Sequence, residues 1–154
     1  MLSRWKGFCM AAPQFFTPPR VTPSRPKRRF SLEQANRTLP LVGRIVADIV
    51  QTHKNATTLQ STLEKTQASS QNRAGLEREL ETTMERLHAL LDELYNVGCE
   101  IKDFQSGLID FIGRHQGRDV YLCWKPGEDK IQYWHELDAG FTGRQPISTL
   151  QEKE

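Results

Sequence analysis

Two apolar seams of equal length constrain this chain more than any other feature. In the first, Val42, Ile45, Ile49, Thr52, Ala56, Leu59 and Leu63 follow one another at spacings of 3, 4, 3, 4, 3 and 4. In the second, Leu76, Leu80, Thr83, Leu87, Leu90, Leu94 and Val97 follow at 4, 3, 4, 3, 4 and 3. A heptad repeat gathers its apolar side chains on one stripe of a helix, and that stripe must be buried. The stretch from Gln67 to Gly75 between the seams is polar, rich in turn formers and without apolar period, so it reads as a loop. The pattern predicts an antiparallel helical hairpin over residues 31–97. Each arm has roughly 23 residues and is ~35 Å long at ~1.5 Å per residue.

The ends of the hairpin carry their own signals. Phe30-Ser31-Leu32-Glu33-Gln34 reads as a capping box, with Ser31 and Gln34 exchanging side-chain and backbone hydrogen bonds. Gly98 stands where a helix C-cap glycine belongs. Pro40 predicts a kink or restart near Leu39. Glu77, Arg78, Glu81, Glu85 and Arg86 form a solvated outer face, and His53 and His88, beside the seams, read as structural or exposed rather than as ligands. Thr52, Ala56 and Thr83 are weak core residues, so the hairpin needs the rest of the chain, or a second copy, along its flank.

After Gly98 the period changes to two and the residues become β-branched and aromatic, which predicts strands at about 108–113, 118–124 and 130–136. Arg114-His115-Gln116-Gly117 and Lys125-Pro126-Gly127-Glu128-Asp129 read as turns, the Pro-Gly pair suiting type II. Short connections make the three strands an antiparallel meander. Val120, Leu122 and Trp124 share one face, and Tyr121 and Cys123 share the other with Asp119. In the last strand Ile131, Tyr133 and His135 face one way, and Gln132, Trp134 and Glu136 the other. With aromatic bulk on both sides, one face should pack on the hairpin. The other should be covered by the C-terminal segment or a partner subunit, which predicts a homodimer.

Charge separates the first 29 residues from the rest. They hold seven of the 21 basic residues, no acid and five prolines. Residues 30–154 therefore hold 14 basic against 19 acidic groups. The reading is a disordered basic arm at 1–29 and a single α+β domain at 30–154, with the sheet and a C-terminal loop at 98–147. The acid-free, Arg-rich arm is weakly like a transit peptide or an anionic-polymer contact, and Met10 is an internal candidate start. The apolar patch from Gly7 to Ala12 is too short for a secretory signal, no run reaches the ~20 residues of a spanning helix, and the body is too acidic for a nucleic-acid surface. The expected location is the cytoplasm. Cys9, Cys99 and Cys123 are too scattered for a disulfide scaffold or a four-cysteine zinc site.

Phe30-Ser31-Leu32-Glu33-Gln34-Ala35-Asn36 and Leu39-Pro40-Leu41 resemble the opening of a bacterial family known as domain of unknown function 2203. Downstream blocks are similar too: Glu100-Ile101-Lys102-Asp103, Gly107-Leu108-Ile109-Asp110-Phe111, Val120-Tyr121-Leu122-Cys123-Trp124, Gly127-Glu128, Trp134-His135-Glu136 and Gly140-Phe141-Thr142-Gly143-Arg144-Gln145-Pro146-Ile147. The resemblance covers about residues 30–147 and implies no catalytic residues.

Three functional readings follow from the residues. His135, Glu136, Asp138, Glu128 and Cys123 are donor types for a divalent metal. Adjacent His135 and Glu136 point to opposite faces of a regular strand, so a better set pairs Glu136 with Asp138, or His135 with a cross-strand acid such as Asp110. The Gly140–Arg144 loop offers backbone N–H groups and a guanidinium to an anion; otherwise Arg144 pairs with Glu136, Asp138 or Glu128. The third reading is a non-catalytic protein that docks a partner along its hairpin. The expectation is a binding or scaffold protein, with Trp124, Trp134 and Arg144 as candidate ligand contacts. The alternative is a metal-dependent, hydrolase-like enzyme around His135, Glu136 and Arg144.

Overall fold

A computed structural model describes residues 28–153. Helix α1 spans Leu32–Lys65 and α2 spans Arg73–Val97. Strands β1 (Cys99–Asp103), β2 (Leu108–His115), β3 (Arg118–Trp124), β4 (Tyr133–Glu136) and β5 (Gln145–Pro146) follow. The expectation for residues 1–27 lies outside the described residues.

The hairpin forms as its pattern predicts, and the capping box is present: Ser31 Oγ accepts from Gln34 N–H at 3.1 Å and Gln34 Oε1 accepts from Ser31 N–H at 3.0 Å. The helix runs unbroken through Pro40, against the expected restart. Pro40 is exposed while Ala35, Leu39 and Val42 on the opposite stripe are buried, so packing of the first turns outweighs the one missing backbone hydrogen bond. Arg73 closes the loop by donating to the carbonyls of Leu63 and Thr66, and belongs to α2 rather than to the connection. In the second seam Met84 is buried where Thr83 was expected; the Thr83 hydroxyl donates to Glu79 O instead. At the hairpin's exit Gly98 has φ 118° and a side chain there would press on Phe30, so glycine is required twice over.

The sheet is an antiparallel meander in the order β1-β2-β3-β4-β5. It has two strands more than its sequence pattern predicts. Strand β1 has only Cys99 and Ile101 buried, too little to announce itself. Strand β5 is two residues held against Tyr133 and Trp134. Strand β2 runs on to His115, because Gln116 (φ 50°) and Gly117 (φ 81°) alone make the turn. Strand β4 starts at Tyr133, not at Lys130: the Ile131 N–H is taken by Asn36 Oδ1 of α1 at 2.9 Å, and Ile131 is buried in the core.

Cys99, Ile101, Ile109, Phe111, Leu122, Trp124 and Trp134 join the helices in one apolar core, with Phe30 set edge-on against Phe111 at 5.0 Å between ring centres. Arg28 and Arg29, expected in the arm, are docked: Arg28 donates to Val97 O, Arg29 pairs with Asp119 at 2.8 Å, and Phe30 N–H bonds Ile112 O. The C-terminal segment returns along the helix side. Gln151 N–H donates to His115 Nδ1, Thr149 accepts from Trp134 Nε1, and Glu152 accepts from the Leu32 N–H at the start of α1.

Candidate functional site

Strand register decides which chemistry-bearing residues meet. Asp110 lies opposite Cys123, and Tyr121 opposite His135. Directly opposed residues share a face, so these four stand together on the side of the sheet away from the helices. Asp110 and His135 are each only 4% exposed.

His135 Nδ1 lies 2.8 Å from Glu136 O. A carbonyl only accepts, so Nδ1 carries the hydrogen and Nε2 is left facing the Asp110 carboxylate, with Oδ1 at 3.4 Å and Oδ2 at 3.3 Å. Burial raises the Asp110 pKa, against the opposing pull of His135 and Lys102. The Cys123 thiol is pushed up to about 12 by burial and by Asp110, so it stays protonated beside that carboxyl group. The Arg144 guanidinium acts on the Cys123 thiol in the opposite, lowering sense and lies 4.3 Å over the Tyr133 ring. Cys123, Asp110 and His135 thus stand side by side on this face, with Arg144 close enough to act on Cys123.

The pair opens into a cleft of about 510 Å³. Tyr121, 5.3 Å from the His135 ring, forms one wall, with Leu108 beside it and Leu137 and Gly140 of the segment after β4 closing it. Lys102 of β1 and Lys125 of the β3–β4 turn also line it, as do Asp103 and Ser106. Lys102 Nζ sits 5.0 Å over the Tyr121 ring and 3.0 Å from Glu100. Burial works against its charge, but Glu100, Tyr121 and Asp110 outweigh it and raise its pKa. Asp103 is held below its ordinary value chiefly by the Ser106 hydroxyl.

The structure brings His135, Asp110, Cys123 and Arg144 into one network and sends the other candidates elsewhere. Glu136, on the opposite face from His135, is paired by Arg118, which holds its carboxyl below the usual range. Glu128 accepts from the Lys125 N–H within the turn, and Asp138 is exposed. Among the described residues, no three His, Cys, Asp or Glu side chains are placed to hold a metal ion together. Trp124 and Trp134 lie in the helix-side core, their indole N–H groups donating to Glu128 O and Thr149 Oγ1, so the sheet separates them from the cleft. Lys102 was missed because its strand was missed. Asp110 carried a readable signal of its own: a single acid inside the apolar run Leu108-Ile109-Asp110-Phe111-Ile112.

No helix of the described residues is long and apolar enough to cross a membrane. No curated protein and no solved structure matches the chain. Residues 28–147 do match a family described as uncharacterized conserved protein DUF2203. That span takes in both helices, the sheet and every residue of the polar network, and the chain belongs to this family.

Proposed function

We propose that this is a binding protein whose working surface is the cleft on the outer face of the sheet, with the helical hairpin as its scaffold. The observation that supports the reading is the buried Asp110–His135 pair at the cleft floor. Burying a carboxyl group works against folding unless its environment is built for it, and a pocket of this size with a few converging polar groups suits a small molecule. The reaction class this arrangement favours is proton transfer, because His135 Nε2 directly faces the Asp110 carboxylate at the cleft floor.

Two exposed leucines make the test. Leu137 lines the cleft and Leu41 lies on α1. A thermal-shift screen of small metabolites should give hits that raise the melting temperature of the wild type and of Leu41→Trp, and that fail with Leu137→Trp, which fills the cleft. Hits that bind Leu137→Trp as well as wild type would place the working surface elsewhere.

The competing reading is a divalent ion held by His135 Nε2 and Asp110, which already face each other. Elemental analysis of protein purified without an affinity tag, beside His135→Ala, tests it. Stoichiometric metal lost in a folded variant would support that reading over ours.

A further inference from the structure

We propose that β1 is a dimerisation edge, on which a second copy of this chain pairs antiparallel about a two-fold axis at Ile101. This goes beyond the cleft reading and does not rest on it. The sheet ends on β1, whose one neighbour among the described residues is β2. Its other end is blunted, because β5 is two residues long and one of them is Pro146. Hairpin geometry sets which way the β1 backbone points. The two-residue turn at Gln116 and Gly117 closes on a hydrogen-bonded pair, His115 with Arg118, and alternation turns Gly113, Phe111 and Ile109 toward β3 as well. Ile112 and Asp110 turn the other way, as the Phe30 N–H on Ile112 O shows. Glu100, opposite Asp110, is therefore bonded to β2, and the N–H and C=O of Ile101 point out along the open edge. Among the described residues no turn or loop backbone bonds Ile101. A residue so placed can exchange both groups with its own copy across a two-fold axis.

The side chains fit that register. Glu100 and Lys102 flank Ile101, so the axis sets each Glu100 across from Lys102 of the second copy. These are non-hydrogen-bonded positions, where opposed side chains come closest. Within one chain Lys102 Nζ lies 3.0 Å from Glu100, so both charges already stand on the same side of the strand. A lysine on an edge strand ordinarily keeps other strands away. Here an opposite charge two residues earlier makes the edge complementary to itself. Ile101 lies on the helix side and meets Ile101 of the second copy, which carries the apolar face across the axis. The bulge after Ile101 keeps the paired stretch short. Further contact comes from its two ends: Val97 before β1 and Phe104 after it are both only partly buried, and the axis brings Phe104 of one copy toward the Val97 end of the other.

Sedimentation of the full chain over a range of concentrations tests this, and we expect a reversible dimer. Glu100→Lys sets lysines opposite one another across the axis, and Lys102→Glu sets glutamates opposite one another. Each variant alone should stay folded by its melting curve and dimerise about tenfold more weakly. Mixed together, the two variants pair unlike charges again, and a heterodimer of near wild-type strength should form. Amide hydrogen exchange gives a readout that needs no variant: exchange at the Ile101 N–H should slow as the protein concentration rises. A chain that stays monomeric at every concentration would overturn the proposal. So would a dimer that both variants form as well as the wild type, because its interface would lie elsewhere. A monomer whose Ile101 amide is protected at every dilution would overturn it too, and would mean that the chain covers its own edge.

Discussion

On the helix side of the sheet, Ile109, Phe111, Leu122 and Trp124 are apolar, buried and packed into the hairpin. On the other side of the same strands, Asp110, Cys123 and His135 are as deeply buried and are polar or ionisable. The backbone is shared, and neighbouring residues of β2, Ile109, Asp110 and Phe111, alternate between the two environments. The first face adds stability with each side chain. The second removes a carboxyl group from water and recovers that loss only in part through His135 and the Cys123 thiol. A site that opposes folding in this way is where function, rather than packing, is to be sought.

Phe111→Ala should give the largest effect. It removes a fully buried ring that packs edge-on against Phe30, and should cost about 3–5 kcal/mol in urea denaturation. A loss below about 1 kcal/mol would mean that the helix side is not the stabilising one.

Substitutions at Asp110 sharpen the contrast. Asp110→Ala leaves His135 Nε2 and the Cys123 thiol without their partner and should cost about 1–3 kcal/mol. Asp110→Asn keeps the shape and a donor toward Nε2, and should be no less stable than wild type at neutral pH. The sign follows from the raised Asp110 pKa. Between the unfolded and folded values the native state keeps a proton that the unfolded chain has lost, so stability falls as pH rises through that window. The Asn variant should lose this slope. If it is markedly less stable at neutral pH, the carboxylate is a structural ion-pair partner and the contrast between the faces fails.

Arg144→Ala should fold and lose about 1 kcal/mol, the scale of a partly exposed cation–π contact. Circular dichroism with a melting curve checks it, and an unfolded variant would make Arg144 a structural pin.

The smallest effect belongs to Glu136, and its sign is opposite to that of Asp110. Arg118 holds its pKa down, so its contribution is present above the unfolded pKa and lost as pH falls through the folded value. Arg118→Gln should make the acid limb of the stability curve slightly shallower. An unchanged limb would show that this surface pair contributes nothing measurable.

The amino-acid sequence by itself determined the hairpin, its capping box, its C-cap glycine and the alternation that puts Tyr121 and Cys123 opposite Leu122 and Trp124. These are local properties: helix and strand periods are written in residues three, four or two apart. Tertiary structure alone decided that Pro40 stays within a helix, that Met84 rather than Thr83 fills the seam, and that β1 and β5 are strands. It also decided that the two tryptophans serve the core while Asp110, His135, Lys102 and Lys125 meet at the cleft. Each of these depends on a contact between distant parts of the chain, such as Asn36 with Ile131 or Asp110 with His135. Local periodicity says which face a residue takes; only the register of one strand on the next says what it faces.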